Sequence, residues 1–233
     1  MKLIKHIDFT KMTGLDSTLW NVDVGEKWHN NEKQHYVNDP ENILFDNGLM
    51  IRATRQGKTI RSARINTKGK FSFQYGRIEI VAKVPSGKGT WPALWMMPEE
   101  SRHGRWPKSG EIDIMEHVGN EPNKLYTCLH TEKYNHRLKE QYDRTVTIDG
   151  MVSDFHTYAL TWEKNRITYA VDGKTVTTYE RGENGRDATH QGWPFDQPFY
   201  LIINLAIGGT LGGEVDMECF PQDFVIRDIK VYQ

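Results

Sequence analysis

Polar and apolar residues alternate along much of this chain with a period of two, the repeat of a half-buried β-strand. In residues 71–84 (FSFQYGRIEIVAKV), Ile78, Ile80, Ala82 and Val84 fall on one face, with Arg77, Glu79 and Lys83 on the other. Arg166–Val171 and residues 174–179 flank Asp172-Gly173. That dipeptide suits a tight hairpin turn, because both positions tolerate positive φ. Phe199–Ile207 (FYLIINLAI) is a near-continuous apolar run, as expected of a central strand covered on both faces. Residues 224–232 (FVIRDIKVY) read as a closing strand. No segment keeps a capped 3.6-residue apolar period, and no repeat or linker interrupts the chain. Many short strands without helices predict an all-β fold of two curved antiparallel sheets, a β-sandwich or jelly roll. Residues 1–233 read as a single domain, an ordinary length for a sandwich.

Composition narrows the partners. The formal net charge is -1, so bulk electrostatics favour neither nucleic acid nor an anionic membrane. No apolar run approaches the roughly 20 residues that span a bilayer. The N-terminal MKLIKHIDFT lacks the apolar stretch of a signal peptide, so the protein either works inside the cell or takes its export signal from outside this chain. Cys128 and Cys219 allow one disulfide or two free thiols. The histidines show no metal-ligand spacing, so no catalytic metal or other cofactor is expected. Seven Trp, ten Tyr and nine Phe are enough for both a core and flat faces against which sugar rings pack.

The informative chemistry lies in residues 110–119 (GEIDIMEHVG), where Glu111, Asp113 and Glu116 interrupt an apolar β-type run. On a regular strand Glu111 and Asp113 share a face, and Glu116, an odd step away, points to the other. One extra residue in a β-bulge near Ile114-Met115 would bring Glu116 back and leave Ile112 and Ile114 facing the core. Three aligned carboxylates cannot all stay charged cheaply. An ionised nucleophile beside a protonated acid is what glycoside hydrolysis needs, with Asp113 sharing a proton between them. An acidic solvated strand face, or a calcium site, is the alternative.

GEIDIMEHVG resembles the active-site strand of family 16 glycoside hydrolases in its laminarinase-like form, E-x-D-x-x-E. The likeness extends in order through Asn30-Asn31-Glu32, Gly69-Lys70-Phe71, residues 75–79 (YGRIE), residues 89–96 (GTWPALWM) and residues 193–199 (WPFDQPF). It implies a jelly roll with a glycan cleft across its concave face. It further implies a retaining endo-β-glucanase for β-1,3-linked glucan, with mixed β-1,3-1,4 chains as a further substrate, a polysaccharide or oligosaccharide as partner and a monomer as the working form. Glu111 would be the nucleophile, Glu116 the general acid/base and Asp113 the assisting carboxylate. The family also implies an extracellular setting. Relatives that act on lichenan or galactan, transglycosylases, and a non-catalytic lectin are the alternatives; a lectin would have lost one of the glutamates.

The resemblance also suggests substrate-binding positions. Trp91, Trp106 and His130 would lie in or near the cleft, Asn31 and Asn204 at its ends, and Trp193 on a platform loop. Trp95 reads as core. Arg77 either reaches sugar hydroxyls or pairs with Glu79. Many members hold a structural Ca²⁺ on the convex face, and Asp8, Gly48 and Asp228 occupy matching places. One departure stands out: Gly208-Gly209-Thr210-Leu211 occurs where laminarinases often have Gly-Gly-Asn-Trp, which alters one subsite.

Overall fold

The computed structural model describes residues 1–140, 142–183, 185 and 187–233. Its strands form two sheets, one of ten strands and one of eight. The eight-stranded sheet runs Tyr142–Thr147, Lys124–His130, Glu111–His117, Thr90–Pro98, Phe199–Ile207, Arg64–Asn66, Asn21–Val22, with Ser72–Phe73 beside Phe199–Ile207. In the ten-stranded sheet the central neighbours are His156–Glu163, Gly76–Lys83, Gln222–Tyr232 and Leu49–Gln56. Pairing is antiparallel except between Gln34–Tyr36 and Thr59–Ser62, which run parallel. The α-helical content among the described residues is one turn, Gly209–Gly212.

The facing surfaces of the two sheets make one core. Ile78, Ile80 and Ala82 of the ten-stranded sheet join Leu94, Met96, Ile112, Ile203 and Leu205 of the other. All are buried, and removing this much apolar surface from water drives the packing of sheet on sheet. The expected hairpin is present: Arg166–Val171 pairs with Lys174–Glu180, and Asp172 and Gly173 have φ of 49° and 78°.

Residues 71–84 are not the single strand that their alternation predicts. Ser72–Phe73 belongs to the eight-stranded sheet and Gly76–Lys83 to the ten-stranded one. Between them Tyr75 and Gly76 take φ of 60° and 119°, and the chain crosses from one sheet to the other. A side chain at Gly76 would place its Cβ 2.1 Å from the Tyr232 carbonyl oxygen, so this crossing requires glycine.

Strict alternation in Thr90–Pro98 builds the functional face. Leu94 and Met96 point into the core, while Trp91, Ala93, Trp95 and Met97 point outward. Phe199–Ile207 lies alongside and adds Tyr200, Asn204 and Ala206 to the same outer surface. That surface is the floor of a cleft of about 470 Å³.

Candidate active site

The bulge sits where strand parity requires it. Across from Thr90–Pro98, Leu94 pairs with Met115 and Trp95 with Asp113, so Ile114 is the extra residue. The same register shift, between Asp113 and Glu116, appears against Lys124–His130. Ile112, Ile114 and Met115 enter the core, and Glu111, Asp113 and Glu116 all line the cleft. Neighbouring donors then fix the two glutamates. The Trp106 indole N–H donates to Glu111 Oε2 at 2.7 Å, and the Trp91 indole N–H donates to Glu116 Oε1 at 2.9 Å. His130 Nε2 stands 3.4 Å from Asp113 Oδ2 and 3.7 Å from Glu111 Oε1.

Burial and mutual repulsion keep protons on this cluster. Burial, then the negative charge of Asp113, pushes Glu116 up to about 8. Burial, then Glu111, pushes Asp113 up to about 7. Glu111 is raised as well, chiefly by burial. It is held back by the His130 charge and by hydrogen bonds from Trp106 and Asp113. Burial opposes a charge on His130, but the surrounding carboxylates outweigh it and hold the imidazolium to about 9. The raised values of Asp113 and Glu116 favour protons on those two carboxyls, while the His130 charge and the hydrogen bonds from Trp106 and Asp113 favour the negative charge on Glu111.

Other expected positions divide. Trp91, Trp106 and Asn204 line the cleft, and His130 lies directly behind the carboxylates. Asn31 is exposed beside the cleft, whose lining is formed by its neighbours Asn30 and Glu32. Two assignments need correction. Arg77 lies on the outer face of the opposite sheet, bonded to Glu79 at 2.8 Å and to Thr161 at 2.9 Å, so it takes the ion-pair alternative. Trp193 is 2% exposed, packs edge-on to Phe195, and donates its indole N–H to the Lys164 carbonyl. It is core, not a sugar platform.

Trp95, read as core, is instead part of the floor. Its indole N–H donates to Asn204 Oδ1 at 2.7 Å, and the Arg64 guanidinium lies 4.9 Å from its ring centre. The same guanidinium covers Trp28 and pairs with Asp23. Alternation marked Trp95, since it shares a face with Trp91. Nothing local marked Arg64, His136 or Arg137, which reach the cleft from separate segments.

At the other side of the molecule Asp8 and Asp228 are register partners, and Gly48 lies against the Ile226 carbonyl. Asp8 accepts from the Thr10 backbone and hydroxyl and pairs with Lys11. Asp228 pairs with His6 at 2.6 Å and Lys230 at 3.0 Å. Of the expected donors, backbone oxygens at Asp8 and Gly48 and the Asp228 side chain, the one carboxylate is thus already met by Lys230 and His6, which disfavours a Ca²⁺ there. The two cysteines are free thiols.

Residues 22–219 match the sequence profile of Glycosyl hydrolases family 16. The chain is 42% identical over 232 residues to the "Beta-glucanase" of Rhodothermus marinus, covering 94% of this chain and 80% of that protein. It is 35% identical to the "Glucan endo-1,3-beta-glucosidase A1" of Niallia circulans, covering all of this chain but only 38% of that longer protein. The solved laminarinase from Rhodothermus marinus superposes with a TM-score of 0.94 at 40% identity, covering 100% of this chain and 97% of that one. Members of this family need no catalytic cofactor. With two jelly-roll sheets, a carboxylate bulge strand at the cleft floor and a profile match over most of its length, the chain belongs to glycosyl hydrolases family 16.

Proposed function

We propose that the protein is a retaining endo-β-glucanase that hydrolyses β-1,3-linked glucan, with Glu111 as nucleophile and Glu116 as general acid/base. One observation carries the reading. The Ile114 bulge presents Glu111 and Glu116 to the same cleft, where burial and the Asp113 charge favour a proton on Glu116 and the His130 charge with the Trp106 hydrogen bond favours the negative charge on Glu111. Glu111 Oε attacks the anomeric carbon. The glycosidic C–O bond breaks as Glu116 gives its proton to the leaving oxygen. Water then gives a proton back to Glu116 and attacks the same carbon, releasing Glu111 and the sugar with its original configuration. Asp113 donates its hydrogen bond to Glu111 and adjusts the charge there as the ester forms and breaks. The flat faces of Trp91, Trp95 and Trp106 suit sugar rings along the cleft.

The protein acts on its polysaccharide as a monomer and needs no nucleic acid or membrane. The β-1,3 preference is supported by the relatives' activities named above. Parallel product analysis on laminarin, lichenan and agarose tests it, with the anomer of the first product followed by NMR. Laminarin is expected to give a ladder of oligosaccharides released first as β-anomers. An α-anomer would overturn the double displacement, faster cleavage of lichenan or agarose would overturn the linkage, and products longer than the substrate would make the enzyme a transglycosylase.

A further inference from the structure

Behind the catalytic carboxylates lies a thiol, Cys128, that the proposed hydrolysis does not use. Cys128 is the register partner of Asp113, and His130 is the partner of Glu111, so the four side chains form a block across two adjacent strands. Cys128 Sγ lies 3.4 Å from His130 Nε2, and that nitrogen lies 3.4 Å from Asp113 Oδ2. Ligand atoms of Asp113, Cys128 and His130 all fall within 4.8 Å of one another. Trp106 and His136 pack over His130, and Asp113 opens the group to the cleft.

We propose that Asp113, Cys128 and His130 form an inhibitory binding site for a thiophilic divalent cation of the zinc type. A tetrahedral ion with metal–nitrogen and metal–oxygen bonds of about 2.0–2.2 Å and a metal–sulfur bond of about 2.3 Å holds its ligand atoms about 3.3–3.6 Å apart. Two of the edges here already have that length, and the third closes with a movement of about 1 Å. Glu111 Oε1, 3.7 Å from the same His130 nitrogen, supplies the fourth ligand. One sulfur, one imidazole nitrogen and carboxylate oxygens suit zinc or cadmium, and disfavour magnesium and calcium, which take oxygen ligands in larger shells. Binding releases the thiol proton of Cys128, the imidazolium proton of His130 and the carboxyl proton of Asp113 to solvent. It removes Asp113 and the nucleophile from the reaction together.

The inhibitory part rests on the glucanase reading; the binding part does not. Two measurements on the intact chain separate them: Cd²⁺ titration followed by the thiolate-to-metal charge-transfer absorbance, and laminarin hydrolysis over the same Cd²⁺ range. Cys219, half-buried with the Lys88 carbonyl 3.9 Å from its sulfur, provides the control. The unmodified protein and Cys219→Ser should bind one Cd²⁺ per chain and lose activity in parallel, with EDTA restoring both. Cys128→Ser should keep its activity and resist Cd²⁺ by more than the roughly 10- to 100-fold that loss of an outer-shell partner costs. A charge-transfer band that disappears in Cys219→Ser would overturn the site, as would Cys128→Ser remaining as sensitive as the unmodified protein. If Cys128→Ser does not fold, the band in Cys219→Ser decides alone. If laminarin is not cleaved even without Cd²⁺, the glucanase reading fails, and the absorbance still reports whether the site exists.

Discussion

The outer faces of the two sheets carry the same residue types in opposite electrostatic states. On the ten-stranded sheet each acid has a cation beside it in water: Glu79 has Arg77, Glu180 has Arg166, Asp228 has Lys230. Asp8, at the edge strand there, is pulled down to about 2 by hydrogen bonding to Lys11 and Thr10. On the eight-stranded sheet Asp113 is pushed up to about 7, because it is buried among other carboxylates with only a histidine to offset them. Surface pairs of the first kind contribute little to stability. The second arrangement costs stability and stores protons, which hydrolysis requires.

The largest effect should come from breaking that second arrangement. Glu116→Gln is expected to reduce kcat on laminarin by roughly 10²–10⁴-fold, the usual contribution of a positioned acid. Glu111→Gln should reduce it to background, because no covalent intermediate can form. Both variants should stay folded and still bind glucan, which native-gel retardation with laminarin measures. Undiminished turnover in either would remove the mechanism.

The pH response comes next. A carboxyl whose folded pKa is raised binds a proton in the native state that the unfolded state releases. Its effect is to lower stability as pH rises from the unfolded value, about 4.5, through the folded value, about 8 for Glu116. The raised value of His130 acts in the same direction, its contribution being complete below about 6.5 and lost through about 9. Thermal midpoints should therefore fall between about pH 5 and pH 9. Glu116→Gln should flatten part of that fall. Activity should fall on its alkaline limb near pH 8, as Glu116 gives up its proton.

A smaller effect separates the two glutamates from each other. Trp106→Phe removes the indole hydrogen bond to Glu111, and a bond to a charged group contributes about 1.5–3 kcal/mol. That is roughly 10- to 100-fold in kcat/KM, with the acid limb of the pH profile moving upward. Trp91→Phe removes the corresponding bond to Glu116 and should move the alkaline limb upward instead. If both substitutions moved the same limb, the division of labour between Glu111 and Glu116 would be wrong.

Parity explains what could be read in advance. A strand has a period of two, so an odd step between Glu111 and Glu116 demanded a bulge if both were to act together, and Ile114 supplies it. The same arithmetic held a signal that the plain alternation of residues 71–84 concealed. Phe71, Phe73 and Tyr75 are odd-numbered while Ile78, Ile80 and Ala82 are even, and the chain changes sheets where the parity changes. Trp193 misled because an aromatic in a Trp-Pro-Phe loop has the same local sequence whether it packs inward or outward, and its partner, the Lys164 carbonyl, is distant in sequence. Arg64 was illegible for a related reason. Its position depends on Asp23 and Trp28 from one segment and Trp95 from another, which meet it only in the fold.

The smallest expected effect tests the calm side of the comparison. Asp8 and Asp228 sit where relatives of this family can place a calcium ion, but here Lys11, Lys230 and His6 already meet their oxygens. A divalent ion would have to displace ammonium groups that carry their own charge and hydrogen bonds. EDTA should therefore leave the thermal midpoint unchanged, and added CaCl₂ should not raise it, since an ion that binds the native state would stabilise it in proportion to ln(1 + [L]/Kd). A clear rise with calcium would mean that the lysines swing aside and that this corner is a metal site after all. The contrast between the two outer faces would then lie in what compensates their acids, an external ion on one and shared protons on the other.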